Sequence, residues 1–222
     1  MGAALAALAV GYLLGSVPTA ALVARARGQD VFRLGSGNMG AMNTARNLSL
    51  GWGVIVLLLD VGKGALATYL GLLMASATAN ALQLAPSPAA PSPAVPLAAG
   101  LGAVLGHAFS MFVRFRGGKA LATTLGVSLP YYPAVGLAGL VLIVALYLIT
   151  RRAGAAAVVT MLAYPALAFL ALERLGWPRD ETFAVVTGVL PIVAIVLLKH
   201  LLARRKEAAL TANADGARER RR

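Results

Sequence analysis

The 222-residue sequence contains no cysteine, which excludes disulfides and thiolate catalysis while leaving the compartment open. Histidine occurs only twice and acidic residues eight times. No Ser–His–Asp set or metal-ligand cluster is evident, so the chain calls for no metal and no cofactor. Charged residues amount to 13% against 59% hydrophobic, and the mean hydropathy is +0.78. That balance excludes an ordinary soluble domain. Aromatic residues make up 6% of the chain. The net charge of +12 therefore lacks the stacking side chains that nucleic-acid binding uses, and it is spread over several short loops. A nucleic-acid partner is excluded. No basic residue precedes the first apolar run, whereas Arg25 and Arg27 follow it. This order is wrong for a cleaved signal peptide, so the first helix is expected to stay.

What is present is hydrophobic length. Apolar runs cover 3–24, 50–79, 95–113, 121–150, 153–172 and 182–198, and about 20 such residues cross the hydrocarbon as a helix. Basic residues mark cytoplasmic loops. They cluster at Arg25, Arg27, Arg33 and Arg46, at Arg114, Arg116 and Lys119, at Arg151 and Arg152, and at Lys199. The uncharged stretch 78–96 carries five prolines and reads as a stiff exterior connection. Between Lys119 and Arg151 the chain must therefore cross twice or not at all. Pro130-Tyr131-Tyr132-Pro133 supplies the turn, giving a short helix over about 119–129 and a longer one over 134–149. The expected fold is an all-α membrane protein of about seven transmembrane helices, one of them short, N-terminus outside and C-terminus cytoplasmic. Residues 1–200 are expected to form a single multi-pass domain. Residues 201–222 read as a flexible, basic cytoplasmic tail, with weak attraction to anionic lipid.

The polar chemistry gathers in two glycine-rich segments. One is Gly35-Ser36-Gly37-Asn38-Met39-Gly40-Ala41-Met42-Asn43-Thr44-Ala45-Arg46. The other is Gly106-His107 followed by Arg116-Gly117-Gly118-Lys119-Ala120-Leu121-Ala122-Thr123. Glycine lets backbone N–H groups approach an anion closely, and a helix starting at Gly117-Gly118-Lys119 would aim its positive end at one. Ser36, Asn38 and Asn43 add neutral donors, while Arg46 and Lys119 add charge. Together they read as a phosphate site at a membrane face. Asp60 and Lys63, three apart on one helix face, must turn inward as an ion pair, because either would be costly against lipid. For His107, a packing role and a general-base role both stay open.

Gly15-Ser16-Val17-Pro18-Thr19, Gly35-Ser36-Gly37-Asn38 with Gly40-Ala41 and Asn43, Asp60 to Gly64, and Gly106-His107 leading to Phe115-Arg116-Gly117-Gly118-Lys119 follow one another in order. In that order and spacing they resemble the membrane-integral bacterial acyl-phosphate:glycerol-3-phosphate acyltransferases. The resemblance implies transfer of an acyl chain from acyl phosphate to the 1-hydroxyl of glycerol 3-phosphate, giving lysophosphatidic acid and phosphate at the entry to phospholipid synthesis. It implies a bacterial inner-membrane protein whose site faces the cytoplasm, with membrane lipids around it. Catalytic roles would fall to Ser36, Lys119 and His200. Substrate and phosphate contacts would fall to Gly35, Gly37, Asn38, Asn43, Arg46, His107, Gly117, Gly118 and Thr123.

Some positions depart from the family pattern. Met42 stands where threonine is usual, Ala120 where a third glycine is, Gly154 where a serine is, and Ala203 where an asparagine follows His200. Met42, Gly154 and Ala203 remove polar groups from the acceptor side, which keeps open a paralogue with another acceptor or without catalysis. A transporter of a phosphorylated compound is the reading from a different class. It sits less well with the absence of a convincing internal repeat and with polar groups on one face.

Overall fold

The architecture is a computed structural model that describes residues 1–81 and 93–219. The proline-bearing connection at 82–92, read as exterior, and the closing Arg220, Arg221 and Arg222 lie outside the described residues. The helices are α1 (Gly2–Ser16), α2 (Thr19–Ala26), α3 (Ala41–Asn47), α4 (Leu50–Ala81), α5 (Ala94–Ala108), α6 (Leu121–Ser128), α7 (Pro133–Thr150), α8 (Ala153–Arg174) and α9 (Arg179–Glu219). No strand occurs among the described residues. Among the described residues, six segments are long and apolar enough to cross a membrane, at 2–26, 50–79, 94–113, 133–150, 153–174 and 179–205. The eight-residue α6 is the short additional helix.

The ends of α6 show what it connects. Lys119, just before it, lines a cavity together with His200 and Arg204 of α9. Tyr131, just after it, meets Trp177 edge-on at 5.6 Å between ring centroids, beside the start of α9. Arg179 and His200 are separated by roughly 30 Å of helix at about 1.5 Å per residue. The short helix thus joins opposite ends of the bundle, which answers the parity of the basic clusters. Burial, and the nearby charge of Glu181, push the Tyr131 phenol up to about 12, so this turn stays uncharged.

The first apolar run is not the single helix its composition suggests. It breaks at Val17, whose φ of −55° and ψ of 115° leave the helical region just before Pro18. The break frees the Val17 carbonyl, which accepts from Lys63 Nζ at 3.1 Å, and turns Thr19 inward, where its hydroxyl donates to Asp60 at 2.6 Å. The Val17 carbonyl also accepts the Thr19 N–H at 3.0 Å, so the Lys63 bond is its second.

Small residues let α1 meet α5. A Cβ on Gly11 would come within 2.0 Å of the Ala99 carbonyl oxygen, and one on Gly15 within 2.1 Å of that of Ala103. From the other side, a Cβ on Gly102 would meet the Leu8 carbonyl and one on Gly106 that of Tyr12. The matching order of contacts makes the two helices parallel, and the four-residue glycine spacing on each is the small-xxx-small pattern of close membrane packing. Helix α5 consequently sits in the interior, with Ala99, Gly100, Ala103, Val104 and His107 all buried. The exposed apolar faces lie elsewhere. On α7, Leu137, Val141, Leu148 and Ile149 point outward, as a lipid-facing helix requires.

Two expected boundaries shift for local reasons. Helix α6 begins at Leu121 rather than at Gly117-Gly118-Lys119, because Ala120 takes a left-handed conformation (φ 61°) ahead of it. Helix α5 ends at Ala108, and the remainder to Val113 is a bend closed by a 3-10 turn at Met111–Val113. There Tyr12 OH donates to the Phe109 carbonyl at 2.9 Å. Helix α9 continues as helix to Glu219, through residues 201–219.

Candidate active site

The first glycine-rich segment folds into a loop ahead of α3, and its organiser is Asn43. Its Oδ1 accepts from the Ser36 backbone N–H and hydroxyl, both at 3.2 Å, and from Asn47 Nδ2 at 3.1 Å. Its Nδ2 donates to the Leu34 carbonyl at 3.0 Å. The carboxamide is therefore engaged in holding the loop. Gly35 requires its lack of a side chain, since φ is +49° and a Cβ would lie 2.4 Å from Asn47 Nδ2. Ser36 remains exposed at the tip, with its Oγ 3.4 Å from the Asn38 N–H.

The second segment runs back along the first. Arg116 stacks its guanidinium 4.4 Å from the centre of the Phe32 ring, tying the two loops together. Gly118 N–H donates to the His107 carbonyl at 3.0 Å. The turn then delivers Lys119 to a cavity of about 860 Å³ that opens between α3, α6, α7, α8 and α9.

That cavity has two characters. Its polar end is lined by Ser36, Asn38, Arg46, Lys119, His200 and Arg204, with Gly35, Asn43 and Asn47 contributing to the wall. Three of these are cations, and among the described residues no carboxylate lines the cavity. Such a surface selects an anion. Its long wall is apolar, built by Leu121, Leu125, Leu140, Ile143 and Val144. Thr160 and Tyr164 also line it, and their hydroxyls make no hydrogen bond among the described residues. Gly136 and Gly139 of α7 lie on the wall too, opposite Ser128 and the Tyr164 ring, respectively.

His200 Nδ1 lies 2.8 Å from the Val196 carbonyl. A carbonyl can only accept, so Nδ1 carries the proton and Nε2 is the ring atom left to a cavity ligand. Lys199, beside it, instead places its ammonium 4.9 Å from the Phe109 ring centre.

The structure thus brings Gly35, Ser36, Asn38, Asn43, Arg46, Lys119 and His200 to one cavity. It does not bring Gly37, His107, Gly117, Gly118 or Thr123 to that lining. Gly117 and Gly118 pack on the end of α5, and Thr123 is fully buried against α4, its carbonyl 2.3 Å from where a Gly64 Cβ would stand. His107 is buried at 3% exposure, with Nδ1 3.4 Å from Asp60 Oδ1. Asp60 pairs with Lys63 at 2.9 Å, as the three-residue spacing implies. Of the four departures, Met42 and Gly154 line the cavity, and Ala120 and Ala203 do not. Asn47, Thr160, Tyr164 and Arg204 are lining residues that the sequence reading passed over. Helical periodicity was the available signal, because Asn47 lies one turn beyond Asn43 and Arg204 one turn beyond His200.

Comparison with known proteins places this geometry in context. The family model described as glycerol-3-phosphate acyltransferase matches residues 5–207. A curated glycerol-3-phosphate acyltransferase 1 from Deinococcus radiodurans is 39% identical over 197 residues, which is 89% of this chain and 88% of that protein. A glycerol-3-phosphate acyltransferase from Symbiobacterium thermophilum is 34% identical over 211 residues, 95% and 94% of the two chains. Among solved structures, the integral membrane glycerol 3-phosphate acyltransferase PlsY in its glycerol 3-phosphate form superposes with a TM-score of 0.71 at 28% identity. The match covers 95% of this chain and 92% of that one. Its lysophosphatidic acid form gives a TM-score of 0.70.

Proposed function

The chain belongs to the glycerol-3-phosphate acyltransferase family, and from that membership we propose that it acylates glycerol 3-phosphate at the 1-hydroxyl, using an acyl phosphate as donor. One observation carries the reading. A single cavity joins an end lined by Arg46, Lys119 and Arg204 to an apolar wall, the shape and chemistry of a phosphate carrying a long hydrocarbon. Arg46, Lys119 and Arg204 hold phosphate oxygens of the two substrates, and the wall formed by α6, α7 and α8 takes the acyl chain.

In the transfer, the acceptor oxygen bonds to the acyl carbon, the bond from that carbon to the phosphate oxygen breaks, and the hydroxyl proton ends on the departing phosphate. The donor is already activated, so the protein's work is positioning and charge stabilisation. Ser36 contacts a phosphate from the tip of its loop, while Asn43 keeps that loop in shape. His200 Nε2 accepts a hydrogen bond from the acceptor. The cationic end faces the cytoplasm of a bacterial inner membrane, the N-terminus lies outside and the carboxyl end inside. The support for that orientation is the basic content of the loops around the cavity, from Arg25 and Arg46 to Arg151 and Arg152.

The test is turnover by purified protein given palmitoyl phosphate and glycerol 3-phosphate, following lysophosphatidate and phosphate together. Equal release of both is expected, with loss in Lys119→Met protein that still elutes as a single folded species. Phosphate release without lysophosphatidate would make the chain a hydrolase or point to another acceptor. No release of either would remove the acyltransferase reading.

A further inference from the structure

The buried charged cluster below the cavity is left without a role by the chemistry above. Its centre is Asp60 of α4, whose Oδ1 accepts from the Thr19 hydroxyl at 2.6 Å and from Lys63 Nζ at 2.9 Å. His107 Nδ1 approaches the same oxygen at 3.4 Å. All four side chains are buried, with Asp60 at 1% and His107 at 3% exposure. Removing charged groups from water is expensive even when they are paired. Packing alone would be served by apolar residues of similar size.

The other edge of His107 shows what the cluster supports. Gly118 packs so closely on the ring that an added Cβ would lie 2.3 Å from His107 Nε2. The same Cβ would lie 2.4 Å from the carbonyl oxygen of Met39, in the first glycine-rich loop. The His107 carbonyl accepts the Gly118 N–H at 3.0 Å, and a Gly117 Cβ would come within 2.0 Å of that carbonyl oxygen. One residue therefore meets the two glycines preceding Lys119 with both its ring and its backbone, and the first loop closes on the same point. None of Asp60, Lys63, His107, Gly117 and Gly118 lines the cavity, so none is placed to touch a reacting atom there.

We propose that His107, oriented by the Asp60 carboxylate, is a positioning residue that sets the Gly117-Gly118 turn and thereby the placement of Lys119 and of the loop at Met39. The inference rests on the acyltransferase reading for its kinetic consequence, but its structural content stands apart from activity. Thr19 and Lys63 both hold Oδ1, the oxygen that His107 Nδ1 faces at 3.4 Å, so the carboxylate is fixed against one edge of the ring while Gly118 packs on the other. A displacement of about 1 Å in a positioning group costs on the order of a hundredfold in rate. His107→Asn keeps a donor near the Nδ1 position but removes the ring edge against Gly118.

Two measurements on the full chain test this. The first is kinetic, with palmitoyl phosphate and glycerol 3-phosphate. His107→Asn should lower kcat/KM for palmitoyl phosphate by about tenfold to a hundredfold, and should cause little further loss once the charge-keeping but repositioned Lys119→Arg is present. A merely structural role would instead give losses that add in the double variant. The second is hydrogen exchange. Peptides covering 114–120 and 35–40 should lose protection in His107→Asn, while those from the α1–α5 contact keep theirs. Unchanged exchange at 114–120, or loss spread evenly over the chain, would overturn the proposal. Wild-type protein inactive on these substrates would sink the acyltransferase reading alone, and the exchange pattern would still decide the role of His107.

Discussion

Ala120 offers a direct measure of how much the turn beneath Lys119 is strained. It is buried at 2% exposure and holds φ at 61°, in the left-handed region that favours glycine. A left-handed L-residue costs about 1–2 kcal/mol. Ala120→Gly relieves that strain, loses roughly 0.8 kcal/mol of buried methyl, and loosens the unfolded chain by about 0.4–1 kcal/mol. The effects nearly cancel, so stability should stay within about 0.8 kcal/mol of the parent. Ala103→Gly is the control, since Ala103 is fully buried inside α5 with ordinary helical geometry. There only the losses remain, about 1 kcal/mol for helix propensity and about 0.8 for the methyl. At roughly 2–4 °C per kcal/mol for a chain of this size, the control should melt about 4–7 °C lower and Ala120→Gly less than about 3 °C away from the parent. Thermal unfolding in detergent reads both. If Ala120→Gly falls as far as the control, the left-handed turn carries no strain and the reasoning fails.

Gly15→Leu should leave little protein extractable as a single species, because its Cβ would stand 2.1 Å from the Ala103 carbonyl oxygen. Gly62→Ala, with nothing within 4 Å of the new methyl, should gain stability by up to about 1 kcal/mol. Size-exclusion chromatography with thermal unfolding separates the two outcomes, and equal behaviour would contradict the close α1–α5 packing. Gly154→Ser adds a hydroxyl on the cavity wall where a Cβ meets nothing within 4 Å. It should lower KM for glycerol 3-phosphate by up to about tenfold, as one added hydrogen bond allows. Ala203→Asn, off the lining, should change KM less, and the reverse ranking would show that the acceptor lies closer to α9. Leu140→Trp fills the apolar wall, and should shift relative kcat/KM from palmitoyl to octanoyl phosphate by about tenfold. An unchanged ratio would place the chain elsewhere.

Some of this molecule is legible residue by residue. Hydrophobic run length and basic clusters disclosed the spanning helices, the short α6 and the glycine-rich rims, because both signals are local and the bilayer acts on each segment separately. The Asp60–Lys63 pair was legible for the same reason, being a matter of helical spacing and the cost of charge in lipid. The break at Val17-Pro18 was only half legible. Proline marks the place, but the Lys63 and Asp60 partners that make an interrupted backbone tolerable come from forty or more residues away. The glycines show the same division. As a composition they suggest loops that welcome anions, whereas in the fold Gly11, Gly15, Gly102 and Gly106 bring α1 onto α5, and Gly117 and Gly118 seat a turn on His107. Asn43 reads as a ligand donor until its carboxamide is found holding the Ser36 loop. Arg204 reads as tail charge until α9 carries it, one turn past His200, onto the cavity. A side chain's type follows from sequence, but its partners depend on which distant backbones approach closely enough to leave room for nothing else. That approach is a property of the packed helices.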